Sequence, residues 1–138
     1  MMKVFCIQNS TRKLSKSQAA FINACKLDSH IEFIHFKTEY PNHAMELAQK
    51  AKETAELILL IGGDGTINEV VNGLCATSSK NPKLFILPAG TGNDFYRNFK
   101  SSNLSAQTPS QLFIQKGVAV SIACLQTKEC KRYFINIA

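Results

Sequence analysis

Within seven residues, Gly62-Gly63-Asp64-Gly65-Thr66-Ile67-Asn68 gathers three glycines, one carboxylate, a hydroxyl and a carboxamide. Glycines leave no Cβ in the way of an approaching group, and Thr66 and Asn68 place polar side chains beside them. The chemistry such a set suits is the holding of an anion, above all a phosphate. The flanking residues say how it would be presented. Leu57-Ile58-Leu59-Leu60-Ile61 is a continuous apolar run, as in a strand buried on both faces of a parallel sheet. Ile67, Val70, Val71 and Leu74 fall at i, i+3, i+4 and i+7, the apolar face of a helix. The order is strand, glycine turn, helix. The first N–H groups of a helix have no partner within it and carry the positive end of its dipole. Glycines just before them can take positive φ and leave no Cβ in the way, so that an anion can come close. A tight turn with glycines chosen for dihedral reasons would need one or two, not three around an aspartate. Neither GxxxxGK[ST] nor GxGxxG is present, so phosphate would be held in another way.

The elements that must position this turn can be read along the chain. Met2–Gln8 reads as a first strand, and Asn9-Ser10-Thr11-Arg12-Lys13 as a polar loop after it. Ser15 to Leu27 reads as a helix and Ile31 to Phe36 as a second strand. His35 lies within that strand and has no carboxylate or cysteine spaced to share a metal with it, so it reads as a packing histidine. A helix is expected to start at Pro41, with Ala44, Leu47, Ala48, Ala51 and Ala55 facing inward. Leu84 to Leu87 is another short buried strand, stopped at Pro88. Gly90-Thr91-Gly92 forms a second glycine turn, with Asn93 or Asp94 placed to cap a short helix at 95–99. Two such turns after adjacent strands would lie together at the carboxyl edge of the sheet, where open α/β sheets bind ligands. Thr108-Pro109-Ser110 opens a helix expected to run through Lys116. From Val118 the alternation of Val118, Val120 and Ile122 with smaller residues reads as a half-buried antiparallel strand, paired back by 132–137.

Composition sets the outer limits. At 138 residues, 45% hydrophobic and 19% charged, the chain fits one globular domain with a true core. No apolar run reaches membrane-spanning length, and no signal peptide precedes the first strand. Five cysteines (Cys6, Cys25, Cys75, Cys124, Cys130) without a CxxC pair indicate reduced thiols and a cytoplasmic setting. A net charge of +6 suits anionic partners, a nucleotide or an acidic membrane surface. The basic residues are scattered, with no aromatic-and-basic stripe, so nucleic acid is not expected as a partner.

GGDGT at 62–66, continued by Ile67-Asn68-Glu69-Val70-Val71-Asn72-Gly73, closely resembles the catalytic domain of diacylglycerol kinases and their relatives, the sphingosine and ceramide kinases. Leu87-Pro88-Ala89-Gly90-Thr91-Gly92-Asn93-Asp94-Phe95 resembles that family's second nucleotide motif. GGDGT alone is shared with NAD kinases and is similar to the phosphofructokinase loop; the second block favours the lipid kinases. His43-Ala44 matches a His-Ala pair of the family, with His43 in a structural role near a helix start. The family usually carries Asn-Pro-x-x-Gly after its first strand. Here Asn9 is kept, Ser10 replaces the proline and Lys13 the glycine, which opens the idea that Arg12 or Lys13 reaches phosphate directly.

The resemblance implies an α/β, Rossmann-like three-layer parallel sheet with flanking helices over 1–116. It also implies that 117–138 is a β-hairpin beginning a β-rich second domain that lies beyond this stretch. By the same resemblance, Asn9, Thr38, Gly62, Gly63, Asp64, Gly65, Thr66, Ile67, Asn68 and Thr91 would bind ATP·Mg²⁺. Asp64 has two readings, orienting Mg²⁺–ATP or the acceptor, and holding the turn by an Asx-type bond. The general base and the metal site would lie in the second domain, with no metal ligands in this stretch. The function implied is the ATP-binding domain of a lipid kinase that transfers the γ-phosphate to a diacylglycerol- or sphingosine-type hydroxyl at a membrane surface. This stretch alone would be inactive, cytoplasmic or peripheral at the membrane. A hairpin with open edges would pair with a second copy, giving a homodimer, or fray. An NAD-kinase-like phosphotransferase and a non-catalytic nucleotide-binding module are the alternatives.

Overall fold

The computed structural model describes residues 1–76, 81–88, 108–114, 123–126 and 131–134. Six strands and four helices fall in these segments: β1 (Met2–Gln8), α1 (Lys16–Leu27), β2 (Ile31–Lys37), α2 (His43–Lys52), β3 (Leu57–Gly62), α3 (Asp64–Cys75), β4 (Lys83–Pro88), α4 (Pro109–Phe113), β5 (Ala123–Gln126) and β6 (Lys131–Phe134). The first four strands form one parallel sheet in the order β2-β1-β3-β4. The order reverses between β1 and β3, because β2 lies to one side of β1 and β3 to the other. That reversal opens a crevice at the carboxyl ends of the strands.

Every residue of β3 is buried, as its unbroken apolar run requires. Alternate residues of β1 and β3 feed two cores. Phe5, Ile7, Ile58 and Leu60 pack with Ala44, Leu47, Ala48 and Ala51 of α2 and with Ile67, Val70, Val71 and Leu74 of α3. Val4, Cys6, Leu57, Leu59 and Ile61 pack on the opposite face with Phe21, Ile22 and Cys25 of α1 and with Leu112 and Phe113 of α4. Helices therefore cover both faces, giving the expected Rossmann-like three-layer α/β fold. Phe21, Phe85 and Phe113 meet at centroid distances of 5.8, 5.9 and 5.2 Å, joining α1, β4 and α4. Burial pushes up the thiol pKa of Cys6, and that of Cys25 to about 12, so both behave as apolar filling.

The helix starts follow local capping chemistry where the sequence supplies it. Ser15 and Thr108 each cap their helix in a reciprocal box with a glutamine at the third helical position. α2 departs from the expectation. It begins at His43, not Pro41, and its N-cap Asn42 sits in the left-handed region at φ 68° without a side-chain cap. Pro41 belongs to the turn before the helix. α4 ends at Phe113, short of the expected Lys116. β5 and β6 pair antiparallel, with Gln126 opposite Lys131, as the expected hairpin does over these residues. The expected strand at 118–122 and the short helix at 95–99 lie outside the described residues.

Long-range contacts lock the helices together on each face of the sheet. α2 and α3 approach so closely at Gly73 that a Cβ there would lie 2.4 Å from the Met45 carbonyl oxygen and 2.9 Å from the Ala48 Cβ. Beside that crossing, the Lys52 ammonium, only 8% exposed, donates to the Leu74 carbonyl at the end of α3. On the other face, the Asp28 carboxylate accepts from the backbone N–H of Ser110 at 3.0 Å and of His30 at 2.9 Å. It thus closes the α1 end and supplies an acceptor to the first turn of α4, 82 residues away.

Gly73→Ala should force α2 and α3 apart and cost about 1–3 kcal/mol, read as a lower Tm in thermal denaturation. For Asp28, burial acts to raise the carboxyl pKa, but the hydrogen bonds from His30 and Ser110 outweigh it and hold it down at about 2, against an ordinary 3.8. A carboxyl depressed on folding contributes stability above its unfolded pKa and loses it as pH falls through the folded one. Wild-type stability should therefore fall between about pH 4 and pH 2 more steeply than that of Asp28→Asn, in urea titrations across that range.

Candidate functional site

The glycine turn and the loop after β1 meet in the crevice where the strand order reverses. β1 and β3 are neighbours, with Gln8 opposite Ile61, and the Asn9 N–H continues the pairing to the Ile61 carbonyl at 2.8 Å. Asn9 then becomes the hub of the site. Its Nδ2 donates to Thr66 Oγ1 at 3.1 Å, across 57 residues of chain. Its Oδ1 accepts from the Thr11 N–H at 3.0 Å and from the Thr11 hydroxyl at 2.8 Å. One carboxamide thereby shapes its own loop and orients the first turn of α3.

α3 starts without a side-chain cap. Gly63 is its N-cap, and Asp64, Gly65 and Thr66 supply the first-turn N–H groups that have no carbonyl partner within the helix. Asp64, half-buried at the first helical position, is where a carboxylate suits the helix dipole. Of the two properties glycine offers, positive φ and the missing Cβ, the described glycines use the second: none adopts positive φ, and Gly63 is extended at φ −99°, ψ −166°. Their reasons are spatial. A Cβ on Gly62 would lie 2.7 Å from the Cβ and 2.8 Å from the Oγ1 of Thr66, so glycine there lets the buried threonine fold back over the strand end. Among the described residues, a Cβ on Gly65 would meet nothing within 4 Å, so they leave that edge of the helix start open to an incoming group.

The loop after β2 closes the third side. The Thr38 N–H donates to the Gln8 carbonyl at 2.9 Å, and Thr38 Oγ1 accepts from the Ser10 N–H at 3.3 Å. A proline at position 10 has no N–H to give, so the Ser10 departure from the family pattern creates this link. Lys13 does not require the glycine either, since Asn42 is the one non-glycine residue with positive φ among the described residues. Arg12 and Lys13 stand exposed at the rim.

Asn9, Thr38 and the turn Gly62 to Thr66 are thus brought together at the carboxyl ends of the strands, whereas Thr91 lies outside the described residues. Asn68 contributes differently from the expected rim amide. Its Oδ1 is buried without a hydrogen-bond partner among the described residues, and its carbonyl accepts from Asn72 Nδ2 at 2.7 Å. The Ile67 side chain is in the core and its N–H bonds the Gly63 carbonyl at 3.0 Å. His35, half-buried on β2, pairs its Nε2 with Gln8 Oε1 at 2.8 Å, and burial lowers its pKa, so it is a packing group. His43 Nδ1 accepts from the Glu39 N–H at 2.9 Å, a role at the helix start as expected. Among the described residues, no group of three or more His, Cys, Asp or Glu could hold a metal ion, and no helix is long and apolar enough to cross a membrane.

Sequence reasoning missed Glu69. From the second turn of α3 its carboxylate accepts the Asn42 N–H at 2.5 Å, holding the left-handed residue that opens α2. Its i+3 place after Thr66 signalled only that it shares a helix side with that residue.

A parallel sheet covered on both faces, with a helix start at its switch point, defines a Rossmann-like α/β domain. The comparisons then place it: residues 2–125 match the family described as diacylglycerol kinase catalytic domain, and the chain belongs to that family. It is 45% identical over 100 residues to a Yersinia enterocolitica protein named probable lipid kinase YegS-like, covering 72% of this chain and 31% of that protein. It is 41% identical over 99 residues to a diacylglycerol kinase of Bacillus subtilis, covering 69% of this chain and 31% of the relative. A crystal structure of a diacylglycerol kinase from Bacillus anthracis superposes with a TM-score of 0.58 at 30% identity, over 69% of this chain and 33% of that one. The chain spans about three tenths of the length of the curated relatives it matches.

Glu69→Ala should release the Asn42 N–H, speeding its hydrogen exchange and costing about 1.5–3 kcal/mol of protection, as loss of a bond to a charged acceptor does. Glu69→Gln, which keeps an acceptor oxygen, should recover most of that protection.

Proposed function

We propose that residues 1–116 form the ATP-binding unit of a lipid kinase and that 117–138 begin a further unit. The reaction would transfer the γ-phosphate of ATP to a lipid hydroxyl of the diacylglycerol or sphingosine type. The observation that carries this reading is the start of α3 at the sheet's switch point, where the N-cap is a glycine with no side chain to occupy the site. There the N–H groups of Gly65 and Thr66 and the space beside Gly65 form a cradle for phosphate oxygens. The names of the relatives supply the reaction class and the lipid.

The chain's own residues have assignable parts. The first turn of α3 holds phosphate through backbone N–H groups and its dipole. Asn9 positions Thr66 by donating to its oxygen, which leaves the Thr66 hydroxyl hydrogen for another acceptor. Thr38, whose oxygen accepts from Ser10, has its hydroxyl hydrogen in the same position. Arg12 and Lys13 add positive charge at the rim, where a polyphosphate would lie. Mg²⁺ would be carried mainly by nucleotide phosphates and water, with Asp64 beside it in the turn. Its chemistry is to offset charge on the transferring phosphoryl group. We assign the acceptor's general base to the further unit, as the resemblance to the lipid kinases implies; Glu69 is committed to Asn42. The work would be done in the cytoplasm at a membrane surface, where the positive charge of the chain favours anionic lipid.

The Gly63→Asp, Gly65→Asp double variant tests the phosphate cradle. Aspartate is a preferred N-cap and suits the first helical turn, so α3 should stay folded while two negative charges enter the cradle. Calorimetry with ATP·Mg²⁺ should show binding to the wild type and none to the folded variant. Undiminished binding to the variant would remove the site from this turn.

A further inference from the structure

We propose that the exposed face of Tyr40 is the platform on which the base of the bound nucleotide stacks, an inference that rests on the nucleotide reading above. Tyr40 is 49% exposed, two residues after Thr38 in the loop at the carboxyl end of β2. A single exposed aromatic is ordinary. This ring is unusual in how firmly it is held. The His43 ring stacks on one face at a centroid distance of 4.3 Å and an interplanar angle of 12°. The phenol donates to Glu46 Oε2 at 2.6 Å. The loop itself is fixed at both ends, through Thr38 to Gln8 and Ser10, and through Asn42 to Glu69. A flat apolar face ordered before any ligand arrives loses little further freedom on binding. Base-on-aromatic stacking uses such a face and tolerates any base.

Charge separates the two ends of the crevice. Glu46 and the neighbouring Glu39 place negative charge beside Tyr40, which repels phosphate but suits a neutral heteroaromatic base whose exocyclic amine donates hydrogen bonds. Arg12, Lys13 and the start of α3 make the Asn9 side positive. A nucleotide would therefore lie with its phosphates toward Gly63–Thr66 and its base toward Tyr40.

The test compares ATP·Mg²⁺ with tripolyphosphate·Mg²⁺, by calorimetry, on wild type, Tyr40→Ala and Tyr40→Phe. Tyr40→Ala should weaken ATP about tenfold and leave tripolyphosphate unchanged, while Tyr40→Phe stays within about twofold for both. Should Tyr40→Ala not fold, Tyr40→Leu, which keeps apolar cover over His43, takes its place with the same expected loss. ATP affinity unaltered by the substitution overturns the proposal, as does an equal fall for tripolyphosphate, which would mean that the loop had moved. A wild type that binds tripolyphosphate as tightly as ATP overturns the base platform and leaves the phosphate cradle standing. Binding of neither ligand overturns both.

Discussion

The strand Leu57–Gly62 can exist in water only if both of its faces are covered, and the rest of the molecule follows from that demand. Ile58 and Leu60 call for one layer of helices, and Leu57, Leu59 and Ile61 for another. A chain that must cover two faces of a parallel sheet has to cross back after each strand, and the strand order reverses once beside the central strand. The crevice is thus a by-product of burying a hydrophobic strand. Its position beside the start of α3 needs no separate cause, since β3 runs straight into that helix.

What the crevice becomes depends on polar contacts between loops that are far apart in the chain. Asn9 reaches Thr66, Ser10 reaches Thr38, and Asn42 reaches Glu69. Each bond ties a loop to its neighbour around the opening, so the three behave as one rim. Their donors and acceptors are short side chains and backbone groups, which lose little rotamer freedom when fixed. The site is in this sense built before a ligand arrives.

The sequence made the framework legible because its signals are local. An unbroken apolar run, a 3.6-residue periodicity and two Ser/Thr-to-Gln capping boxes each sit within one segment, and β1, β3, α1 and α3 appear close to where they were expected. The family was legible too, since its motifs are contiguous. Features set by partners distant in sequence were not. Pro41 looks like a helix start, yet α2 begins at a left-handed Asn42 stabilised from another helix. Gly62 reads only as part of the glycine turn and Gly73 only as the end of a motif, yet one makes room for Thr66 and the other for Met45 and Ala48. Periodicity carries no information about those encounters. The substitution of Ser10 for proline likewise gives no hint in the sequence that its N–H reaches Thr38.

The buried ammonium of Lys52 gives α3 an unequal character. A helix ordinarily presents two opposed half-charges, and at a distance each weakens the other. Here the negative pole, at Leu74, is met by a full positive charge brought in from α2. That charge is shielded from solvent, so counter-ions screen it poorly. Seen from the crevice, α3 acts less as a dipole than as a positive pole whose counterpart has been cancelled. A residue at the far end of the helix, remote from any ligand, thereby sets part of the potential that an anion meets at its beginning.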